Sequence, residues 1–472
     1  MSDPLELRDE LDRALALAAA EGSAYAAASS TRPVLGPGAE ARLGELGGEL
    51  PERGIGAPDA LGELAELGRV AAVGSAGPRF FHFVTGGTTP AALGADWLTS
   101  AYDQSAFTWA SSPMATRLES VALGWLRELF DLPEAFEGVF VTGATMANFT
   151  CLIAARGWWA EQHGVRADEA GLMGAPAPRV LSSGYLHPTA VQAVGMLGLG
   201  RGSVTKLARD GVGRMDLEAL RAEFAAGEPA IMIANAGEVN NGDFDPIAEV
   251  AELAHEHQAW LHVDGAFGLF ARLAPESRPL TAGVERADSV TVDAHKWLNV
   301  PYDCGIAFVR EPARLASALS IGAAYLPSPD DPRPHPSALT PENSRRARAL
   351  AVWATLRAYG RDGYRAMVER HLRLARHLAA EVERRPEFEL LAQPRLNIVC
   401  FRAHPQGAGD AELDELNRRL GEALLRDGRV FCGTTVYDGR VAFRPAIVNW
   451  QTTEADVESL LDVLAELLEE EA

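Results

Sequence analysis

Residues 289–301 read SVTVDAHKWLNVP, and this segment indicates both an architecture and a chemistry. The run Ser289–Val292 predicts a buried strand, and Lys296 follows that strand directly after His295. A buried ammonium is costly unless its pKa falls or its nitrogen is used covalently, so a lysine at this place suggests a chemical role. Taken alone, however, Lys296 is more simply interpreted as a side chain that reaches the solvent, and the neighbouring motifs are what favour the chemical role.

A second segment, HVDGAFG at residues 262–268, places Asp264 at the end of another apolar run, 32 residues before Lys296. A carboxylate there can hold a heteroaromatic nitrogen protonated, which turns a pyridine ring into an electron sink. The alternative for Asp264 alone is a helix cap or a structural ion pair.

Residues 138–150, GVFVTGATMANFT, predict a strand, a tight glycine turn and a helix that begins near Thr145. Free backbone N–H groups and a hydroxyl at such a helix start can bind a phosphate, although helix capping alone also explains Thr145. His187, in GYLHPTA, follows a further predicted strand and either stacks on a planar cofactor or caps a helix. Together with Asp264 and Lys296, these features predict a pyridoxal 5′-phosphate site.

Short β-rich runs alternate with helical patterns over the middle of the chain, which is typical of a mostly parallel sheet covered by helices. Such sheets place ligands at the carboxyl ends of their strands. The predicted strands are Gly138–Thr142, Arg179–Ser182, Ser203–Leu207, Ala230–Ala234, Trp260–Val263, Ser289–Val292 and Gly305–Val309. The helical patterns include Asp216–Ala226, Asp245–His257 and Ser344–Arg384.

Three units are predicted along the chain. Residues 1–70 form a helical segment, with helices from residue 4 to about 30 and over Leu61–Val70, that is too small to hold a core alone. Residues 71–385 form the large α/β domain. Residues 386–472 form a small α/β domain, with strands at Asn397–Arg402 and Val441–Arg444 and helices at Glu412–Arg426 and Glu454–Glu469.

Composition narrows the function classes. The chain has 472 residues, 43 Lys and Arg against 65 Asp and Glu, and a formal charge of −22, which disfavours nucleic acids and anionic membranes as partners. Four scattered cysteines without a CxxC pair disfavour a zinc ribbon, an iron–sulfur cluster or a disulfide scaffold, and no metal site is predicted. The acidic N-terminus lacks the basic start of a signal peptide, so a cytoplasmic protein is expected.

The sequence resembles the group II pyridoxal-phosphate-dependent amino-acid decarboxylases, which include the aromatic amino-acid and glutamate decarboxylases. The resemblance extends from about Phe80 to the C-terminus, and its most specific part is DAHKW following HVD. Supporting segments are PRFFHF (78–83), Trp109, Pro113, Glu119, Trp125, SRRARAL (344–350) and FRPAIVNWQTTEAD (443–456).

The resemblance implies a fold-type I homodimer with active sites at the subunit interface, and decarboxylation of an L-amino acid through Schiff-base and quinonoid intermediates. It makes Lys296 the Schiff-base lysine and pairs Asp264 with the pyridinium nitrogen. His187 would stack on the ring, with Ala266 against the opposite face. The remaining assignments are Gly143, Ala144, Thr145 and His295 around the phosphate, and Phe83 and Trp109 in the substrate pocket.

Three departures from the family pattern affect the expected activity. Glu238 stands where the family carries a hydroxyl, so it either contacts the substrate, favouring a basic one, or caps a helix. The proline-rich segment 326–341 lacks the tyrosine that protonates Cα in the aromatic-acid enzymes, which leaves His335 as its candidate proton donor. The wall at residues 84–86 is less bulky.

The expected reaction is therefore amine formation, leaning towards an aromatic substrate. The alternatives are an oxidative outcome that yields an aldehyde, another carbon–carbon lyase on the same scaffold, and, more remotely, a non-catalytic scaffold.

Overall fold

The computed structural model describes residues 3–320 and 331–471 of the chain. Its helices are α1 (Leu11–Ala27), α2 (Ala39–Gly44), α3 (Ala57–Ala71), α4 (Pro90–Tyr102), α5 (Pro113–Leu129), α6 (Ala144–Gln162), α7 (Ala167–Ala170), α8 (Pro188–Met196), α9 (Leu217–Ala225), α10 (Ile247–Glu256), α11 (Pro312–Leu319), α12 (Ala349–Arg384), α13 (Asp410–Asp427) and α14 (Glu454–Glu471). Its strands are β1 (Glu137–Val141), β2 (Arg179–Ser182), β3 (Val204–Lys206), β4 (Ala230–Asn235), β5 (Trp260–Asp264), β6 (Ser289–Asp293), β7 (Gly305–Val309), β8 (Phe388–Ala392), β9 (Cys400–Ala403), β10 (Thr434–Tyr437) and β11 (Arg440–Phe443).

The large sheet has seven strands in the order β1-β7-β6-β5-β4-β2-β3. Neighbouring strands from β6 to β3 are parallel, whereas β7 runs antiparallel to both β6 and β1. Strands β4, β5, β6 and β7 are buried along their whole length, because apolar clusters cover the sheet on both faces. The predicted mostly parallel α/β sheet is confirmed, and each of its seven strands ends within one residue of the predicted position.

A second sheet, of four antiparallel strands in the order β10-β11-β9-β8, lies near the C-terminus. It packs with α13, α14 and the second half of α12 around a separate apolar cluster. The prediction was less accurate here. Strand β9 begins at Cys400 rather than Asn397, α12 begins at Ala349 rather than Ser344, and the sequence analysis missed β8 and β10.

The N-terminal helices lie against one another without forming a core. Helix α1 packs on α3, and neither helix has a buried residue. The predicted helix from residue 4 is a short 3₁₀ turn at Arg8–Glu10 followed by α1. Leu11 and Leu15 are 62% and 58% exposed, so α1 leaves apolar surface uncovered within a single chain.

In the described parts of the chain, none of the helices combines the length and the apolar character that crossing a membrane would require.

The carboxyl ends of β4, β5 and β6 lie side by side and end in Asn235, Asp264 and Asp293. In the register, Asn235 is opposite Asp264 on the neighbouring strand. Lys296 follows the end of β6 in a turn in which its N–H donates to the Asp293 carbonyl, at 3.2 Å. Because parallel strands meet at one sheet edge, this topology brings together polar residues that are distant in sequence.

Candidate active site

A cavity of about 440 Å³ opens at this sheet edge. It brings together eight residues that the sequence analysis assigned to the cofactor: Gly143, Ala144, Thr145, His187, Asp264, Ala266, His295 and Lys296. Tyr185, Phe267 and Tyr302 add aromatic surface, and Met146 and Val239 add apolar surface. The assignments therefore converge spatially on one site.

The backbone of Lys296 is fixed by a close contact with the segment that follows Phe83. The Gly86 N–H donates to the His295 carbonyl at 3.1 Å, and a Cβ added at Gly86 would lie 1.7 Å from the Lys296 carbonyl oxygen. The Nζ atom lies 5.7 Å from the centre of the Phe267 ring. Among the described residues, no carboxylate oxygen lies within 4.0 Å of this amine, so it is not held in an ion pair.

Asp264 is 8% exposed, and both of its carboxylate oxygens accept hydrogen bonds from neutral donors. Oδ2 accepts from Asn148 Nδ2 at 2.9 Å, and Oδ1 accepts from the Ala266 N–H at 3.1 Å. Over the described ranges, no lysine, arginine or histidine nitrogen lies within 4.0 Å of it. A buried carboxylate that lacks a cationic partner suits the protonated ring nitrogen of pyridoxal phosphate.

The N-terminus of α6 suits the phosphate group of the same cofactor. Gly143 stands at the helix start with φ of 132° and provides no side-chain cap. A Cβ at Gly305 would lie 2.3 Å from the Gly143 backbone, so β7 and this turn approach closely. The Ala144 N–H already donates to Asp293 Oδ2 at 3.2 Å. The Thr145 N–H and hydroxyl are therefore the donors available to a phosphate at this helix start.

Two histidines flank the cavity. His187 caps α8, since its Nδ1 accepts from the Thr189 N–H at 3.3 Å, and its ring also lines the cavity, where stacking on a planar cofactor stays a prediction. Burial lowers the pKa of His187, which favours a neutral ring. His295 Nδ1 lies 2.8 Å from Asp293 Oδ1, and its ring centre lies 4.3 Å from that of Tyr302.

Four predicted site residues do not line this cavity within the chain. Phe83 is 59% exposed, and Trp109 is half-buried elsewhere. Glu238 is buried, but its Oε2 accepts from the Asn241 N–H at 3.0 Å, so its carboxylate closes a local turn. His335 lines a separate cavity of about 510 Å³.

The placement of His335 follows from the described end of the proline-rich segment. His335 Nε2 lies 3.5 Å from Asp331 Oδ2, directly before the 3₁₀ turn Pro336–Ala338. The first part of the proline-rich segment, residues 326–330, lies outside the described residues. Within one chain, therefore, none of the four residues, His335, Phe83, Trp109 and Glu238, lines the cavity that contains Lys296.

Sequence reasoning missed several polar residues at the site. Tyr185 donates its hydroxyl hydrogen to Asp243 Oδ2 at 2.8 Å, and the Tyr302 hydroxyl lies 3.0 Å from Thr85 Oγ1. Asn148, beneath Asp264, lies in a segment that was read only as a phosphate turn. Its position one helical turn into α6 was the available signal, since that face of α6 must cover the sheet.

The fold and the cavity together define an enzyme of the fold-type I class that depends on pyridoxal phosphate. The chain belongs to the family described as the pyridoxal-dependent decarboxylase conserved domain, whose model matches residues 67–404. It is therefore a pyridoxal-phosphate-dependent amino-acid decarboxylase, a carboxy-lyase.

Similar proteins differ in the activities that they are named for. The chain is 34% identical over 433 residues to L-2,4-diaminobutyrate decarboxylase of Rhizobium meliloti, covering 89% of this chain and 84% of that protein. It is 29% identical over 409 residues to phenylacetaldehyde synthase of Arabidopsis thaliana, covering 82% and 81%. The crystal structure of Oryza sativa TDC with PLP and tryptamine superposes with a TM-score of 0.89 at 27% identity, covering 98% of each chain.

Proposed function

We propose that the protein decarboxylates an L-amino acid with an aromatic side chain and releases the amine and CO2. The observation that carries this proposal is the convergence of the Lys296 amine, the Asp264 carboxylate and the His187 ring on one cavity with an aromatic lining. Aromatic side chains gain from offset or edge-on contact with other rings, which Tyr185, Phe267 and Tyr302 offer.

The residues divide the work according to their chemistry. When bound, the coenzyme supplies an electron sink for the bond pair that the departing carboxylate leaves. Lys296 holds the coenzyme between turnovers through its amine, and Asp264 keeps a proton on the ring nitrogen. His187, which burial keeps neutral, covers one ring face without adding a charge, and Ala266 leaves room on the other.

We also propose a cytoplasmic homodimer. The exposed leucines of α1 support contact between two chains, because a helix that buries none of its residues within its own chain can cover its apolar face against a second copy. All four cysteines are buried and free, which suits a reducing compartment.

Aldehyde formation is the second candidate. It is favoured by the position of His335, which lines a separate cavity, so the one candidate proton donor in the described part of the proline-rich segment does not face Lys296 within the chain. If Cα is not protonated after CO2 has left, its two-electron oxidation by O2, which is reduced to hydrogen peroxide, followed by hydrolysis with one water molecule, would give an aldehyde and ammonia instead of an amine.

The test is product analysis with the holoenzyme. We would incubate it with the twenty common amino acids, L-DOPA and L-2,4-diaminobutyrate and measure CO2, amine, aldehyde, ammonia and peroxide. We expect CO2 and amine in equal amounts from an aromatic substrate. A preference for diaminobutyrate would refute the aromatic assignment, and aldehyde with peroxide would establish the second candidate.

Replacing Lys296 with Ala is the matched control. It is expected to abolish both turnover and the visible absorbance of the lysine-bound coenzyme. Survival of either would contradict the role of Lys296.

A further inference from the structure

We propose that Asn148 and His262 are positioning residues that hold the Asp264 carboxylate aimed at the coenzyme ring nitrogen. The proposal rests on the proposed function in one respect, namely that Asp264 faces that ring. Neither Asn148 nor His262 lines the cavity, and both side chains are fully buried. They act on the coenzyme through Asp264 alone.

The orientation of the Asn148 amide is fixed by two donors on its oxygen. Oδ1 accepts from Thr291 Oγ1 at 2.8 Å and lies 2.8 Å from His262 Nε2. The opposite end of the amide, Nδ2, therefore points at Asp264 Oδ2, at 2.9 Å. Since Oδ1 of Asp264 accepts from the Ala266 N–H at 3.1 Å, each carboxylate oxygen has its own N–H donor, and the two hydrogen bonds fix the orientation of the carboxylate.

His262 is held in the tautomer that this arrangement requires. Its Nδ1 lies 2.9 Å from Ser289 Oγ, and that oxygen also accepts from Trp260 Nε1 at 3.2 Å. Asn148 Oδ1 can only accept, so the hydrogen of the neutral ring lies on Nε2 and donates to that oxygen, which leaves Nδ1 to accept from the Ser289 hydroxyl. Complete burial lowers the pKa of His262 to about 4, so the ring is neutral near pH 7.

A chain of neutral donors has a consequence for the charge of the site. A cationic neighbour would neutralise Asp264 and weaken its attraction for a protonated ring nitrogen. Trp260, Ser289, His262 and Asn148 instead orient the carboxylate without cancelling its charge. These partners lie on β5, β6 and α6, three elements that a cofactor-independent core would more simply fill with apolar side chains.

The experiment compares five variants of the full-length protein with the wild type. Asn148→Asp keeps the shape but sets a second carboxyl group beside Asp264, and Asn148→Leu removes the donor. His262→Leu removes the ring hydrogen bonds, whereas His262→Gln restores an N–H donor at a similar place. Asn417→Asp is the control, because Asn417 is equally buried and hydrogen-bonded to the Ala403 backbone beside the small sheet.

We would measure the dissociation constant of pyridoxal phosphate from the refilled apoenzyme, the visible absorbance across pH, and kcat and KM. Both Asn148 variants should weaken coenzyme binding and lower kcat by about 10- to 100-fold, as expected for loss of a hydrogen bond to a charged group. KM should change less than about threefold. His262→Leu should show the same pattern, and His262→Gln should recover most of the loss.

Asn417→Asp should lower the melting temperature while leaving the absorbance unchanged. Coenzyme affinity and kcat within about threefold of wild type in Asn148→Leu would overturn the proposal, as would equal losses in His262→Leu and His262→Gln. If the Asn148 variants do not fold, the comparison of His262→Leu with His262→Gln tests the proposal. The dissociation constant of the coenzyme tests this proposal even if the wild type turns over none of the amino acids. Absence of turnover would refute the proposed function and not this proposal.

Discussion

The replacement Glu238→Gln tests whether this carboxyl group is a structural or a substrate-binding group. Glu238 is 4% exposed, and burial raises its pKa from 4.5 to about 7. Glutamine keeps the shape and an oxygen that can accept from the Asn241 N–H, but it does not titrate. The difference in unfolding free energy between the two proteins therefore isolates the titration of one group.

The expected sign follows from the protons that each state binds. Between pH 4.5 and about 7, the folded wild type keeps a proton on Glu238 that the unfolded chain has lost. The stabilising contribution is complete below pH 4.5 and is lost as the pH rises through about 7. The full interval corresponds to about 3 kcal/mol, of which about 2 kcal/mol falls between pH 5.5 and 8.5.

The assay is urea unfolding of both proteins at pH 5.5, 6.5, 7.5 and 8.5, at one protein concentration and one ionic strength. Relative to wild type, Glu238→Gln should become more stable by about 2 kcal/mol over this range. Glu252→Gln removes a carboxylate from an exposed position on α10 and should give a flat difference. A flat or falling difference for Glu238→Gln would show that the folded protein holds this group ionised, as a site for a basic substrate requires.

Three further replacements test the geometry. Asp264→Asn should lower kcat by at least about 100-fold while changing the melting temperature little, and an equal loss of both would contradict its electrostatic role. Glu119→Gln keeps an acceptor oxygen but leaves the buried guanidinium of Arg345 without its carboxylate charge at 2.8 Å, and it should cost about 3–5 kcal/mol in urea unfolding, against less than about 1 kcal/mol for the exposed Asp362→Asn. Gly86→Ala should displace Lys296 and weaken coenzyme binding, whereas Gly124→Ala, which meets open space within α5, should bind it normally.

The large sheet was predictable because its strands are buried on both faces and therefore read as continuous apolar runs. The two missed strands lack that signal. Strand β8 is half-buried along most of its length, and β10 alternates between exposed and buried positions. Short edge strands of this kind depend on tertiary packing, which local sequence does not encode.

The centre of the site was predictable for a different reason. Lys296 and Asp264 follow predicted strands, and parallel topology then brings strand ends together. The assignments of Phe83 and Trp109 rest on resemblance alone, and that of His335 on its place in the proline-rich segment and the chemistry of imidazole. Neither kind of argument gives the direction of a side chain. The sequence allows the carboxylate of Glu238 to face either the substrate or the backbone. In the folded chain it accepts from the backbone N–H of Asn241.

The hydrogen-bond network behind Asp264 has a sequence pattern, namely polar residues at a spacing of two within strands that are otherwise apolar. In β5, His262 and Asp264 are two residues apart, and in β6 the same spacing relates Ser289, Thr291 and Asp293. A spacing of two puts each set on one face of its strand, so two adjacent buried strands present polar groups to the same layer. Buried polar groups need partners. The helix that covers that face must therefore supply a residue with both a donor and an acceptor, a requirement that Asn148 of α6 meets.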